Sequence, residues 1–279
     1  MLRLHGVPLS QPFRSVAWTL LQKRVPFEVS LCVPGSGGKR GSKGEAYLAL
    51  NPLGTVPLLE DGPIKVVESA AILQYLSSKH GWTDLYPASL SDRARVDAFC
   101  HWHHGGTRQL AGGFYAPHVR PDMAEKFGED GIARAKKNGL DALQTLETAW
   151  LASDPFLAGA NATLADLIAY EEVAQLAPKF GNVLTYAEYP KVAAWLERMA
   201  ALPYHDESHV ALTVLGDLAA PNDVPMMKRL GAAPTRGAVW ITPLQHKSYD
   251  GTTTFEPPRF ALYDANTTVN VAICVEIKF

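Results

Sequence analysis

Strand-like patterning crowds into the first 80 residues of this chain and then vanishes until the C-terminal region. Leu2 to Gly6 and Phe27 to Cys32 read as short strands, and Pro12 to Lys23 between them reads as a helix opened by proline. That is a β-α-β opening. Past a basic, glycine-rich loop from Gly35 to Gly44, two more apolar runs follow, Val56 to Leu59 and Ile64 to Val67. The turn residues Glu60-Asp61-Gly62-Pro63 separate them, which predicts a β-hairpin. Glu68 to Lys79 then places Ile72, Leu73 and Leu76 at helical spacing, so one face should pack on the sheet. A small α/β domain over residues 1–80 accounts for all of it.

Beyond an aperiodic stretch from His80 to Leu90 the period changes to 3.6. Asp92 to Arg108, Ala133 to Leu151, Leu164 to Leu176 and Pro190 to Ala201 carry helical apolar spacing, as in Leu140, Leu143, Leu146 and Trp150. Thr163-Leu164-Ala165-Asp166 supplies a helix start, a threonine cap with an acidic residue three positions on. An all-α domain is expected over residues 91–219. From Pro221 the chain is broken by prolines at 225, 234, 243, 257 and 258, and Arg259 to Phe279 is β-prone around Asp264-Ala265-Asn266. Residues 221–279 therefore read as a C-terminal appendage of unknown role with a hairpin in it.

The 279 residues suit two domains at roughly 150 residues each. Lys+Arg 26 against Asp+Glu 28 gives a formal charge of −2, which offers no global field for nucleic acid or an anionic membrane. The longest run free of Asp, Glu, Lys, Arg and His, Ala46 to Leu59, contains Pro52 and Pro57 and cannot serve as a membrane span of ~20 apolar residues. Arg3, His5, Pro8, Pro12 and Arg14 interrupt any secretory apolar run, so a cytoplasmic protein is expected. The three cysteines, Cys32, Cys100 and Cys274, lie far apart without a CxxC, as in a reducing compartment. His101, His103 and His104 have no carboxylate or thiolate at ligand spacing, and no metal site is expected.

Several residues at element ends carry chemical possibilities. Ser10 stands where the first strand hands over to the first helix, and is either an N-cap or a hydroxyl that stabilises a bound thiolate at the positive helix end. A cis Val56-Pro57 bond at a strand start would leave a backbone edge for an extended peptide ligand. At the next strand-to-helix junction Ser69 is either an ordinary cap or, with its own N–H, a carboxylate site, and with Glu68 for the ammonium the pair fits an amino-acid head group. Lys39, Arg40 and Lys43 are either a second carboxylate site or a solvated loop.

Taken together, Ser10-Gln11-Pro12, Asn51 to Pro57, Glu68-Ser69-Ala70-Ala71-Ile72-Leu73-Gln74-Tyr75-Leu76 and Thr163-Leu164-Ala165-Asp166 resemble the cytosolic glutathione transferases. Arg93-Ala94-Arg95-Val96-Asp97 with Trp102, His104 and Arg108 and Tyr189 to Trp195 extend the resemblance to the theta class, and Ser208 to Leu212 resembles the start of its terminal helix. The likeness spans residue 2 to about 219.

The resemblance implies a thioredoxin-like N-terminal domain, an all-α C-terminal domain, a homodimer and glutathione as co-substrate. Ser10 would stabilise the glutathione thiolate. Gln11 belongs to the same site, Val56 and Pro57 would meet the cysteinyl backbone, Glu68 and Ser69 the γ-glutamyl end, and Lys43, with Arg40, the glycyl carboxylate. Arg108 would act at the sulfur or the leaving group, and Leu9, Phe114 and Tyr115 either line the pocket for a small electrophile or belong to the ordinary core.

The opening segment carries no catalytic Tyr or Cys, which disfavours disulfide reductase chemistry, and position 42, where theta proteins tend to have a histidine, is Ser. The expected reaction is conjugation of glutathione to alkyl halides, epoxides or activated alkenes, or reduction of organic hydroperoxides. The alternatives are a non-catalytic binding or scaffold module, or a specialised glutathione-dependent dehalogenase or lyase.

Overall fold

The computed structural model describes residues 2–218 and 220 and the backbone of five short strands beyond them. The chain divides into two compact units, one built on Met1–Ile72 with Asp206–Ala211, the other on Leu73–His205.

In the first unit β1 (Leu2–Gly6), α1 (Gln11–Gln22) and β2 (Phe27–Leu31) form the expected crossover, with Leu2 opposite Phe27 in a parallel pair. Parallel neighbours need such an intervening helix. A short α2 (Glu45–Leu48) precedes β3 (Leu58–Asp61) and β4 (Ile64–Val67), joined through Gly62 at φ 59°. The sheet runs β2-β1-β3-β4, with β3 antiparallel to both neighbours. Leu4, Leu58 and Leu59 are fully buried, as are Phe13, Val16, Trp18, Leu20 and Leu21 of α1. Each such side chain contributes about 1.5–3 kcal/mol of burial. Gly6 lets strand and helix meet, because a Cβ there would lie 2.5 Å from Phe13 Cδ2. From the other end of the chain, fully buried His209 meets the Trp18 ring edge-on, 5.1 Å between centroids.

Helix α3 (Ser69–His80) leads to the second unit, which comprises α4 (Leu90–His103), α5 (Arg108–Leu110), α6 (Ala116–Val119), α7 (Pro121–Thr145), α8 (Leu164–Ala174) and α9 (Pro190–Ala200), while α10 (His205–Leu215) is shared, its residues Asp206–Ala211 belonging to the first unit. Every residue of α8 is buried, and Thr163 and Asp166 form the capping box. Asp166 reaches further than a cap: besides Thr163 N–H it accepts Leu157 N–H at 2.9 Å and the indole N–H of Trp195 at 3.0 Å.

Three helical stretches differ from expectation. The helix expected from Asp92 to Arg108 ends at His103, and residues 104–107 form turns before Arg108 opens α5. α7 begins at Pro121 rather than Ala133, with a break at Gly128 (φ 64°). Its first turns, residues 125–130, are exposed on all sides, so they carry no apolar period. Residues 108–119 are helical too, with a wide π-type turn over Ala111–Tyr115. Gly112-Gly113 looks like a breaker in sequence, but at Gly113 the missing Cβ admits the backbone of Lys136, whose N would stand 2.5 Å away.

In the appendage Arg259–Leu262 pairs antiparallel with Val271–Ile273, as the β-prone reading expects, and with Val239–Thr242. Gln245–Lys247 pairs with Thr253–Phe255. The expected turn at 264–266, residues 274–279 and Cys274 lie outside the described residues.

Candidate active site

Ser10 is the N-cap residue of α1, extended at φ −79° and ψ 121°. Its N–H donates to Val7 O and its carbonyl accepts from Arg14 N, both at 2.9 Å. Its hydroxyl makes no cap hydrogen bond. The capping alternative thus leaves the side chain unused, at the positive end of a 12-residue helix. Behind it Arg14 is buried and donates through Nη1 to Pro8 O at 3.1 Å, which secures the loop from strand to helix. Gln11 is buried and Leu9 half-buried on that loop.

Val56-Pro57 is cis. The ladder starts one residue later, with Leu58 opposite both His5 and Val67, so the Val56 backbone stands outside it. The Val56 side chain packs on Cys32, Tyr47 and Leu58. The carbonyls that lead into it are held in series. Lys43 Nζ donates to Leu53 O at 3.1 Å, and Ser42 Oγ donates to Gly54 O at 2.8 Å. Tyr47 OH and Asn51 Nδ2 both donate to Thr55 O, at 2.6 and 2.8 Å. Ser42 is fully buried and its Oγ also accepts the Gly35 N–H at 2.8 Å. It is a latch between two loops.

Glu68 is exposed and left-handed, φ 67°, between β4 and α3, and its carbonyl accepts the Ile72 N–H at 2.9 Å. Ser69, half-buried, opens α3. Arg40 and Lys43 lie exposed on the loop.

Burial decides the ionisation of the nearby groups. It pushes the Cys32 thiol up to about 11 and the Tyr47 phenol up to about 12, so both stay protonated at neutral pH. Cys32 is therefore no nucleophile. His5 is lowered by burial although Glu60 Oε1 lies 2.6 Å from its Nε2.

The remaining candidates belong to the second unit. Arg108 opens α5, and its guanidinium is ion-paired to the buried carboxylate of Glu172 on α8. Phe114 is half-buried with Lys136 Nζ 5.9 Å from its ring centroid, and Tyr115 is buried. His103 is buried, with Nδ1 at 2.7 Å from Thr107 Oγ1, while His101 and His104 are exposed. Among the described residues no three His, Cys, Asp or Glu side chains gather into a metal site, and no helix is long and apolar enough to cross a membrane.

Two family models match the chain, the glutathione S-transferase N-terminal domain over residues 4–84 and the glutathione S-transferase C-terminal domain over residues 116–203. Human glutathione S-transferase theta-2B is 34% identical over 222 residues, 78% of this chain and 89% of the human protein. The chain belongs to the glutathione S-transferase family. Glutathione S-transferase T2 of Arabidopsis thaliana is 32% identical over 223 residues, 76% of this chain but 37% of that longer protein. The crystal structure of human glutathione transferase theta-2 in complex with glutathione superposes with a TM-score of 0.67 at 29% identity, covering 83% of this chain and 99% of that one.

Within this transferase, then, Ser10, Gln11, Lys43, Val56, Pro57, Glu68 and Ser69 all belong to the α/β unit, and Arg108, Phe114 and Tyr115 to the helical one. Sequence reasoning missed the residues that hold the site residues. Ser42 stands out in sequence only as a departure from the theta pattern, and nothing beside Asn51 marks a role for its amide. Tyr47 and Glu172 carry no local signal, because their partners stand 8 and 64 residues away.

Proposed function

We propose that this transferase adds the glutathione thiolate to small electrophiles, with Ser10 as the residue that stabilises the sulfur. The observation that carries the reading is the Ser10 hydroxyl, left without a cap bond at the N-terminus of α1. A hydroxyl donor together with the helix dipole favours the charged form of a thiol whose ordinary pKa is ~8.5. The thiolate then attacks an electrophilic carbon. A C–S bond forms, and the leaving group departs with its bonding pair, or an epoxide or activated alkene opens and takes up a proton. With a hydroperoxide the thiolate attacks the outer oxygen instead, the O–O bond breaks and the alkoxide leaves as the alcohol by taking up a proton. A second glutathione then attacks the resulting sulfenic acid, giving the disulfide and water.

Gln11 and Pro57 belong to the same glutathione site. Val56 pairs with the cysteinyl backbone, Glu68 takes the ammonium and Ser69 the carboxylate of the γ-glutamyl end, and Lys43 turns from Leu53 O to the glycyl carboxylate. Arg108 supplies positive charge for the leaving group, and Leu9, Phe114 and Tyr115 line the electrophile pocket. The functional division is a glutathione domain over residues 1–80, a helical domain over 91–219 and an appendage over 221–279. The protein works in the cytoplasm, in detoxification, as a homodimer.

Ultraviolet difference titration of glutathione bound to the parent and to Ser10→Ala tests the central step. Thiolate absorbance near neutral pH in the parent and its loss in Ser10→Ala is the expected result. Binding with an unshifted thiol in both proteins refutes the role of Ser10.

A further inference from the structure

We propose that Ser42 and Tyr47 are positioning residues for glutathione: they set the backbone of Val56 in the direction that pairs with the cysteinyl amide. The assignment rests on Val56 being that edge. Glutathione must find a fixed N–H and C=O at Val56, yet Val56 lies outside the sheet ladder, which begins at Leu58. Something other than β-pairing has to orient the peptide plane. The three carbonyls just before it, Leu53, Gly54 and Thr55, are each taken by a side chain from residues 42–51.

These holds differ in kind. Lys43 is exposed, and its ammonium is the group that leaves Leu53 O to meet a ligand carboxylate. Ser42 and Tyr47 are buried and cannot follow it. Ser42 bridges two loops, from Gly35 N–H to Gly54 O, at a residue whose φ of 61° and close neighbours leave no room for a side chain. Tyr47 holds Thr55 O, the carbonyl of the peptide unit that carries the Val56 N–H itself. Its phenol stays protonated, and therefore a donor, throughout the useful pH range. Rotating that peptide would break the bond from Tyr47, the bond from Asn51 and the packing of Val56 on Cys32, Tyr47 and Leu58 together. The edge is thereby preorganised, which lowers the ordering cost of binding.

Tyr47→Phe and Ser42→Ala test this with two ligands, glutathione and an analogue with an (E)-alkene in place of the cysteinyl–glycine amide, the latter unable to accept from Val56 N–H. The parent is expected to favour glutathione about tenfold or more, the value of a well-made hydrogen bond and its lost fit. Each variant should weaken glutathione about three- to tenfold and shrink that preference, with the thiol pKa of bound glutathione unchanged. Tyr47→Phe keeps the ring in its apolar cluster, so it decides the matter even where Ser42→Ala fails to fold. A folded Tyr47→Phe protein that keeps the parental preference overturns the assignment, as does an equal loss for both ligands. A parent that binds both ligands alike overturns the Val56 edge itself, and the assignment falls with it.

Discussion

Asp166 Oδ1 accepts the indole N–H of Trp195 at 3.0 Å, joining the cap of α8 to the middle of α9. Both side chains are fully buried, and the same carboxylate takes Leu157 N–H and Thr163 N–H. With the Thr163 hydroxyl at 3.1 Å it serves four donors, and its removal strands all of them. Asp166→Ala should cost about 3–5 kcal/mol, read as a fall in the thermal or denaturant midpoint. A loss under about 1 kcal/mol would mean that water replaces the carboxylate.

Ser10→Ala should leave stability within about 0.5 kcal/mol of the parent. A serine that caps a helix through its hydroxyl loses about 0.5–2 kcal/mol on truncation, but here the hydroxyl makes no cap bond. Urea unfolding of the two proteins side by side checks this. A loss of 1 kcal/mol or more would restore the capping role and remove the spare hydroxyl from the argument about the thiolate.

His103 gives the helical unit a pH dependence of known sign. Burial, and then the nearby Arg108 charge, lowers its pKa from 6.5 to about 3. As pH falls, the unfolded chain takes up the proton first, so stability present above pH 6.5 drains away between 6.5 and about 3. The slope from this one group approaches about 1.4 kcal/mol per pH unit inside that window. His103→Asn should lose less between pH 7 and 4.5 than the parent does, measured as denaturant midpoints at both pH values. Equal slopes would exclude His103 as the titrating group.

Gly113→Ala should destabilise by about 1–3 kcal/mol, because its new methyl carbon would sit 2.5 Å from the Lys136 backbone nitrogen, an atom that cannot rotate away. Gly112→Ala is the companion control: its Cβ would find Ala135 Cβ at an ordinary 3.5 Å. The difference between the two melting temperatures is the measurement, and equal values would refute the close helix approach.

Sequence patterning read the α/β unit well because its signals are local. Alternation marks β1 and β2, and Thr163 with Asp166 announces α8 within four residues. The hairpin is marked by its turn, although that turn is Gly62-Pro63 alone and the strand before it runs from Leu58 to Asp61 where Val56 to Leu59 is expected. It read the helical unit less well for two physical reasons. The first turns of α7 are exposed on every side and show no apolar stripe, and Gly112-Gly113 carries the composition of a break while serving a close approach. At the site, Ser10, Val56 and Glu68 stand at element ends that the pattern marks. The side chains that hold them in place are known only once distant loops meet. Ser42 shows this best: nothing near it in sequence says that it would turn inward and join Gly35 to Gly54.

Glu68 keeps its left-handed backbone without being glycine. Such a residue holds roughly 1–2 kcal/mol that a glycine there would release. The fold thus carries a built-in reserve at the mouth of α3, and one route to a more robust protein, Glu68→Gly, would erase the carboxylate proposed to meet the ammonium. Robustness and recognition pull against each other at a single backbone angle.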